Sequence, residues 1–284
     1  MIVVTGATGK LGSQILDLLL TQVPAIELGV SVRDPGAAAH LAARGVRVRA
    51  GDFTDPASLA SAFEGADQVL LISASIRGTD AAVAANRAAI DAARAAGARR
   101  ILYTGHQAAA HDSAFAPMLV HAATEDHLAA AGVPFTVLRN GFYVTTLDFY
   151  VPRALETGVL ALPADGPVSW TAHADLAAAA VAALTAPDLF DGVTPPLTGP
   201  AAVDLVEVAS ILSDVTGRTI TRVVVDDEEW KAAAGEFADF TLGMFRAARR
   251  GEFAVTDPAL EKAIGRPATD VRDFLAGFQH SAAS

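Results

Sequence analysis

The chain has 284 residues, of which 52% are hydrophobic and 19% charged, enough for one large α/β domain or a main domain with a smaller lobe, and too apolar for a disordered chain. A formal net charge of −11 with scattered basic residues argues against a nucleic-acid partner, and the absence of cysteine excludes disulfides, thiolate catalysis and cysteine metal ligands. No apolar run approaches the roughly 18 residues of a bilayer span, so a cytoplasmic protein with no membrane partner is expected.

The first predicted element, a buried strand over Ile2–Thr5, runs straight into Thr5-Gly6-Ala7-Thr8-Gly9-Lys10-Leu11-Gly12 and then a helix carrying Ile15, Leu16, Leu18, Leu19 and Leu20. In this G-x-x-G-x-x-G spacing Gly6 permits the turn, Gly9 lets the backbone approach a phosphate, and Gly12 lets the helix pack closely. The helix N-terminus offers unpaired N–H groups and a partial positive charge to a dinucleotide pyrophosphate, so Gly6, Thr8, Gly9, Lys10, Leu11 and Gly12 are the first cofactor-binding candidates. Lys10 reads either as a second cation for the phosphates or as a plain exposed lysine.

Further strands are predicted at 27–32, 46–50, 68–72, 100–103 and 135–138, with helices starting near Ala37, Pro56, Thr79 and Pro117. That alternation is the pattern of βαβ units in a doubly wound parallel sheet, which binds ligands at the carboxyl ends of its strands. At the end of the second strand Ser31-Val32-Arg33-Asp34-Pro35 places Arg33 where a 2′-phosphate would lie, favouring NADPH, with NAD kept open because Asp34 fits either a ribose-binding acid or the start of a turn before Pro35. After the third strand, Asp52 and Phe53 are candidates for the adenine, or form a structural turn. Arg44, Arg47 and Arg49 read as a solvated strand edge or as an aid to an anionic cofactor.

The later chain changes character, with helices at 175–185 and Leu205–Thr216 around short strands at 168–171, 196–198 and 220–224. We therefore expect an α/β Rossmann domain over 1–145 and a smaller α+β substrate-side lobe over 146–284, some segments of which return to the Rossmann core. The Ala-rich stretches read as closely packed helix rather than linker. His106 and His111 have no acidic or thiol partner at ligand spacing, so no metal is expected, and no Gly-x-Ser-x-Gly elbow suggests a hydrolase.

With the glycine loop, Arg33, Gly51-Asp52-Phe53 and Leu70-Leu71-Ile72-Ser73, the chain resembles the NmrA-like atypical short-chain dehydrogenase/reductases, in particular the NAD(P)H:quinone oxidoreductase type. The resemblance runs on through 86–97, Tyr103-Thr104, His121-Ala122-Ala123-Thr124-Glu125, Leu138-Arg139-Asn140-Gly141-Phe142-Tyr143 and Ile264-Gly265-Arg266-Pro267. It implies an NADPH-dependent reductase acting on a small molecule, a quinone-like or conjugated carbonyl acceptor, without flavin or metal, and it leaves a homodimer open. A non-catalytic NAD(P) redox sensor and a tailoring reductase of secondary metabolism share the scaffold and remain alternatives.

Resemblance and position after strand ends together add Ser73, Thr104, Asn140 and Phe142 to the cofactor side, and His121, Tyr143 and His106 as catalytic candidates. His121 suits proton delivery because imidazole titrates near neutrality, or is a helix histidine satisfied by the backbone. Tyr143 fits a donor to the nicotinamide amide or the acceptor, or plain packing, and Trp170 fits a pocket wall or the core. Two departures matter: reductases of the family often carry Lys where this chain has Asp126, and Ser where it has Gly105. With no lysine from Tyr103 to Gly132, a Tyr–Lys carbonyl reduction is unsupported, which is less damaging for a quinone, whose reduction rests chiefly on proximity.

Overall fold

The computed structural model describes residues 1–280. Its strands are β1 (Ile2–Thr5), β2 (Leu28–Val32), β3 (Arg47–Ala50), β4 (Gln68–Leu71), β5 (Arg100–His106), β6 (Phe135–Asn140), β7 (Phe142–Tyr143), β8 (Val159–Pro163), β9 (Trp170–Thr171), β10 (Gly192–Val193) and β11 (Thr221–Val225). The helices are α1 (Lys10–Leu19), α2 (Ala39–Ala43), α3 (Pro56–Phe63), α4 (Thr79–Ala95), α5 (Ala116–Ala130), α6 (Val151–Thr157), α7 (His173–Thr185), α8 (Leu205–Thr216), α9 (Asp227–Ala234), α10 (Ala238–Arg249), α11 (Ala259–Ile264) and α12 (Val271–Ala276).

Seven strands form one parallel sheet in the order β10-β6-β5-β4-β1-β2-β3. Alternate residues along each strand feed opposite layers, which is why the strands are apolar throughout rather than on one face. Val4, Leu70, Leu102 and Leu138 pack under α1, α7 and α11. Val3, Val69, Leu71, Ile101, Tyr103 and Val137 pack under α3, α4 and α5. The chain order reverses between β1 and β4, and the glycine turn opens at that switch point.

A further core gathers Phe115, Phe142, Leu147, Val151, Leu160, Trp170, Val208, Leu212, Phe245 and Phe253, so the segments after β6 build their own apolar centre beside the carboxyl edge of the sheet. Trp170 belongs to it, with Nε1 donating to the Val203 carbonyl at 3.2 Å. Two ties return the later chain to the Rossmann layers, β10 extending the sheet and α7 packing on α1; Asp175, fully buried on α7, in turn anchors the C-terminal segment by accepting from Arg266 at 2.5 Å and from the Thr269 amide at 2.7 Å.

Several elements differ from expectation. β5 and β6 run on to His106 and Asn140, which face each other in register. The strand expected at 196–198 shrinks to a single bridge between Leu197 and Asn140, because Pro195 and Pro196 have no N–H to give to a ladder, and the seventh strand of the sheet starts four residues earlier, at Gly192–Val193. Of the strand expected at 168–171 only Trp170–Thr171 pairs as one, with Val168 in a bridge to Val203.

Candidate functional site

The glycine loop leaves β1 through Gly6, whose φ of +60° suits glycine, and closes with the Gly9 amide donating to the Gly6 carbonyl at 3.0 Å. Gly9 is the N-cap of α1 and no side chain caps the helix, so its first amides are unpaired. A Cβ on Gly12 would stand 2.2 Å from the Gly6 carbonyl oxygen: the close approach here is between α1 and its own loop. Loop and helix end together make a backbone cradle that fits a pyrophosphate. Gly12→Ala is expected to displace the loop, weaken nucleotide binding about tenfold or more and destabilise the fold by about 1–3 kcal/mol, checked by titration with NADPH and thermal melting.

At the adenine end Arg33 is exposed, and among the described residues it makes no hydrogen bond or ion pair. Asp34 is the turn former: its Oδ1 accepts from the Gly36 amide at 2.8 Å, capping the short helix begun by Pro35. Asp52 accepts from the Thr54 amide and hydroxyl at 2.8 and 2.7 Å, and those bonds, with a smaller contribution from Arg33, hold its carboxyl below the usual range. Phe53 is half-buried against the α3–α4 layer. The neighbouring arginines are engaged within the chain: Arg44 pairs with Asp17, Arg49 with Glu64, and Arg47 donates to the Glu64 carbonyl.

Next to the switch point, the Ser73 amide donates to Thr104 Oγ1 at 2.9 Å, which ties the ends of β4 and β5. Asn86 on α4, buried at 2% exposure, accepts from the Ala74 amide and donates to both Tyr103 Oη and Thr124 Oγ1. Burial keeps the Tyr103 phenol protonated, and where it donates to His121 Nδ1, 2.8 Å away, His121 carries its hydrogen on Nε2. His106 reaches the same tautomer by another route, since its Nδ1 accepts from the Ala108 amide at 3.1 Å. The two rings stack at 6.0 Å, and His106 also meets Phe142 and Phe253 edge-on. The site thus holds two neutral imidazoles, each with Nε2–H as its remaining donor, against an aromatic wall of Phe115, Phe142 and Phe253.

Burial sets their charge: it lowers His121 to about 4, and burial with the neighbouring His121 takes His106 well below its ordinary value. Burial and the charge of Lys10 likewise bring His173 down to about 4. Unfolded imidazoles bind protons below about pH 6.5, so between that value and 4 the unfolded chain holds more protons than the native one. Stability present above 6.5 is therefore lost as the pH falls toward 4, and a melting temperature flat above about pH 6.5 should fall by several degrees by about pH 4.5. Constancy through that window would show that the rings stay hydrated.

Asn140 is buried near Tyr143, and its Oδ1 has no partner. Burial raises the Tyr143 phenol above its usual range, so it is a protonated hydroxyl. Its ring lies 4.2 Å from that of His173, a residue the sequence reading passed over although it opens α7 within Thr171-Ala172-His173.

Both departures from the family pattern find a steric reading. A Cβ at Gly105 would meet Val137 Cγ1 at 2.6 Å and Glu125 Oε1 at 3.3 Å, so a side chain there points under the sheet and not toward His106. Asp126 lies on the outward face of α5, paired with His111 at 2.9 Å, while Glu125 is spent on a bidentate pair with Arg139. Two surface cavities of about 390 and 410 Å³ lie away from the glycine loop, one at the amino edge of the sheet beside Met1, Asp67 and Arg100, the other beside α11. Among the described residues no group of three or more His, Asp or Glu side chains is placed to hold a metal, and no helix is long and apolar enough to cross a membrane.

A doubly wound sheet with a glycine turn at its switch point and an uncapped first helix defines a Rossmann-type, nucleotide-binding class of protein. Within that class the chain belongs to the NmrA-like family, whose model matches residues 1–274. It is 34% identical to quinone oxidoreductase 2 of Escherichia coli (strain K12), with 97% of each chain covered. A crystal structure of an NADPH-dependent quinone oxidoreductase from Escherichia coli complexed with NADPH superposes with a TM-score of 0.91 at 34% identity, covering 98% of this chain and 99% of that one. The Citrobacter sp. triphenylmethane reductase complexed with NADP(H) gives 0.90 at 33% identity, covering 98% and 100%.

Proposed function

We propose that the protein is an NADPH-dependent oxidoreductase that passes hydride directly to a quinone-like or conjugated carbonyl acceptor, with no flavin or metal, in the cytoplasm. The carrying observation is the stacked pair of neutral imidazoles, His106 and His121, set against an aromatic wall. Similarity over nearly the whole length to NADPH-dependent reductases supports it.

In this reading Gly6, Thr8, Gly9, Lys10, Leu11 and Gly12 hold the pyrophosphate, Arg33 the 2′-phosphate, and Asp52 and Phe53 flank the adenine. Ser73, Thr104, Asn140 and Phe142 border the nicotinamide half. Bound NADPH supplies two electrons as hydride. The chain supplies the rest: Phe115, Phe142 and Phe253 shape a dry slot for a flat acceptor, and Tyr143 offers a protonated hydroxyl at its edge. His121 holds the acceptor oxygen through Nε2–H and stabilises the oxyanion left by hydride transfer, the Tyr103 hydroxyl at Nδ1 fixes the ring, and the oxyanion takes its proton from water. The segments built on the Phe115–Phe253 core form the substrate lobe. Saturable NADPH oxidation with a short-chain quinone, well above the uncatalysed rate, is the expected result; tight NADPH binding without turnover across a panel of quinones and enones would favour the sensor instead.

A further inference from the structure

His173 opens α7 and Lys10 opens α1, and the two helices pack side by side, so that Lys10 acts electrostatically on the His173 ring. The ring is 7% exposed and stacked on Tyr143. Its Nδ1 is sealed from solvent and has no partner. A buried N–H without an acceptor is less tolerable than a bare acceptor nitrogen, so the proton belongs on Nε2. His173 then has one usable donor, in an electrostatic field set by Lys10 and Asp148.

Asp148 lies in the turn Val144–Phe149 that directly follows Tyr143, and its carboxylate meets Lys10 Nζ at 3.5 Å. Both side chains are about half exposed, and an ion pair of that length and exposure contributes little. Its lysine is easily recruited by a stronger anion at the adjoining glycine loop. The other acid near this helix end, Asp175, is committed to Arg266 and the Thr269 amide and does not compete.

We propose that His173 forms a second wall of the pyrophosphate site beside Lys10 of the glycine loop, with Asp148 as the internal counter-ion that the pyrophosphate displaces from Lys10. The proposal rests on the cofactor reading above and adds His173 and Asp148 to it. Since the pyrophosphate is common to both nucleotides, this wall sets affinity for NADPH and NADH alike, whereas Arg33 separates them.

The test titrates wild type, Arg33→Ala, His173→Phe and Asp148→Asn with NADPH and with NADH, following binding by calorimetry. His173→Phe keeps a ring against Tyr143 while removing the donor, and is expected to weaken both nucleotides equally, about three- to tenfold. Asp148→Asn is expected to tighten both about two- to fivefold, a gain that a folding defect cannot produce. If both variants bind like wild type while Arg33→Ala loses NADPH selectively, the second wall is wrong and the cofactor reading stands. A wild-type protein that binds neither nucleotide overturns the cofactor reading, and this proposal with it.

Discussion

Replacing Arg33 by Ala is expected to raise the Kd for NADPH about ten- to a hundredfold while leaving that for NADH within about twofold. The guanidinium is the first side chain beyond β2, exposed and without a hydrogen bond or ion pair among the described residues, so its removal disturbs no internal contact. A charge-assisted contact to a phosphate contributes roughly 1.5–3 kcal/mol, which sets the size of the loss. Asp52, which feels the Arg33 charge, is already bound to Thr54 and is not drawn onto Arg33. Asp34 offers no rival ribose contact through Oδ1, since that oxygen holds the Gly36 amide. Fluorescence titration with each nucleotide checks the point; equal loss for both would assign the 2′-phosphate elsewhere.

The second large effect concerns turnover. Replacing His121 by Ala is expected to lower kcat with a short-chain quinone about 10²-fold, the lower end for a positioned hydrogen-bond donor to a developing oxyanion, with the Kd for NADPH within about threefold. Binding is spared because the ring bonds to Tyr103 and stacks on His106, and touches nothing in the glycine loop. The low pKa, about 4, makes His121 a neutral hydrogen-bond donor rather than an imidazolium. In the wild type kcat should therefore stay level from about pH 8 to about 5.5, with no inflection near the ordinary histidine value. Steady-state kinetics on both proteins across that range decides it, and an unchanged kcat in the variant would remove His121 from the reaction.

The Rossmann half was readable because parallel strands buried on both faces are continuous apolar runs, and because the G-x-x-G-x-x-G turn sits directly between strand and helix. The far side of the site was harder to read. The strand expected at 220–224 forms as β11, but its partner β8 was not expected, nor was α9, which begins with Asp227, Glu228 and Glu229 and buries no side chain. His173 stood alone before an alanine-rich helix, and its partners Lys10 and Asp148 come from other parts of the chain. Gly105 looked like a lost hydroxyl because a sequence gives the residue type and not the direction of its Cβ, which here aims at Val137. Asn86 appeared only as part of a family-like stretch; its bonds to Tyr103 and Thr124 are a product of packing between α4, β5 and α5.

The central claim is direct hydride transfer from NADPH to an organic acceptor on this chain's own residues. An anaerobic single-turnover experiment, mixing the protein and NADPH with a short-chain quinone, tests it most directly. The expected result is loss of NADPH absorbance matched mole for mole by loss of quinone, slowed by deuterium at the transferring position of the nicotinamide, in a preparation with no flavin absorbance. Oxidation no faster than in the absence of protein, or appearing only when flavin is added, would contradict it.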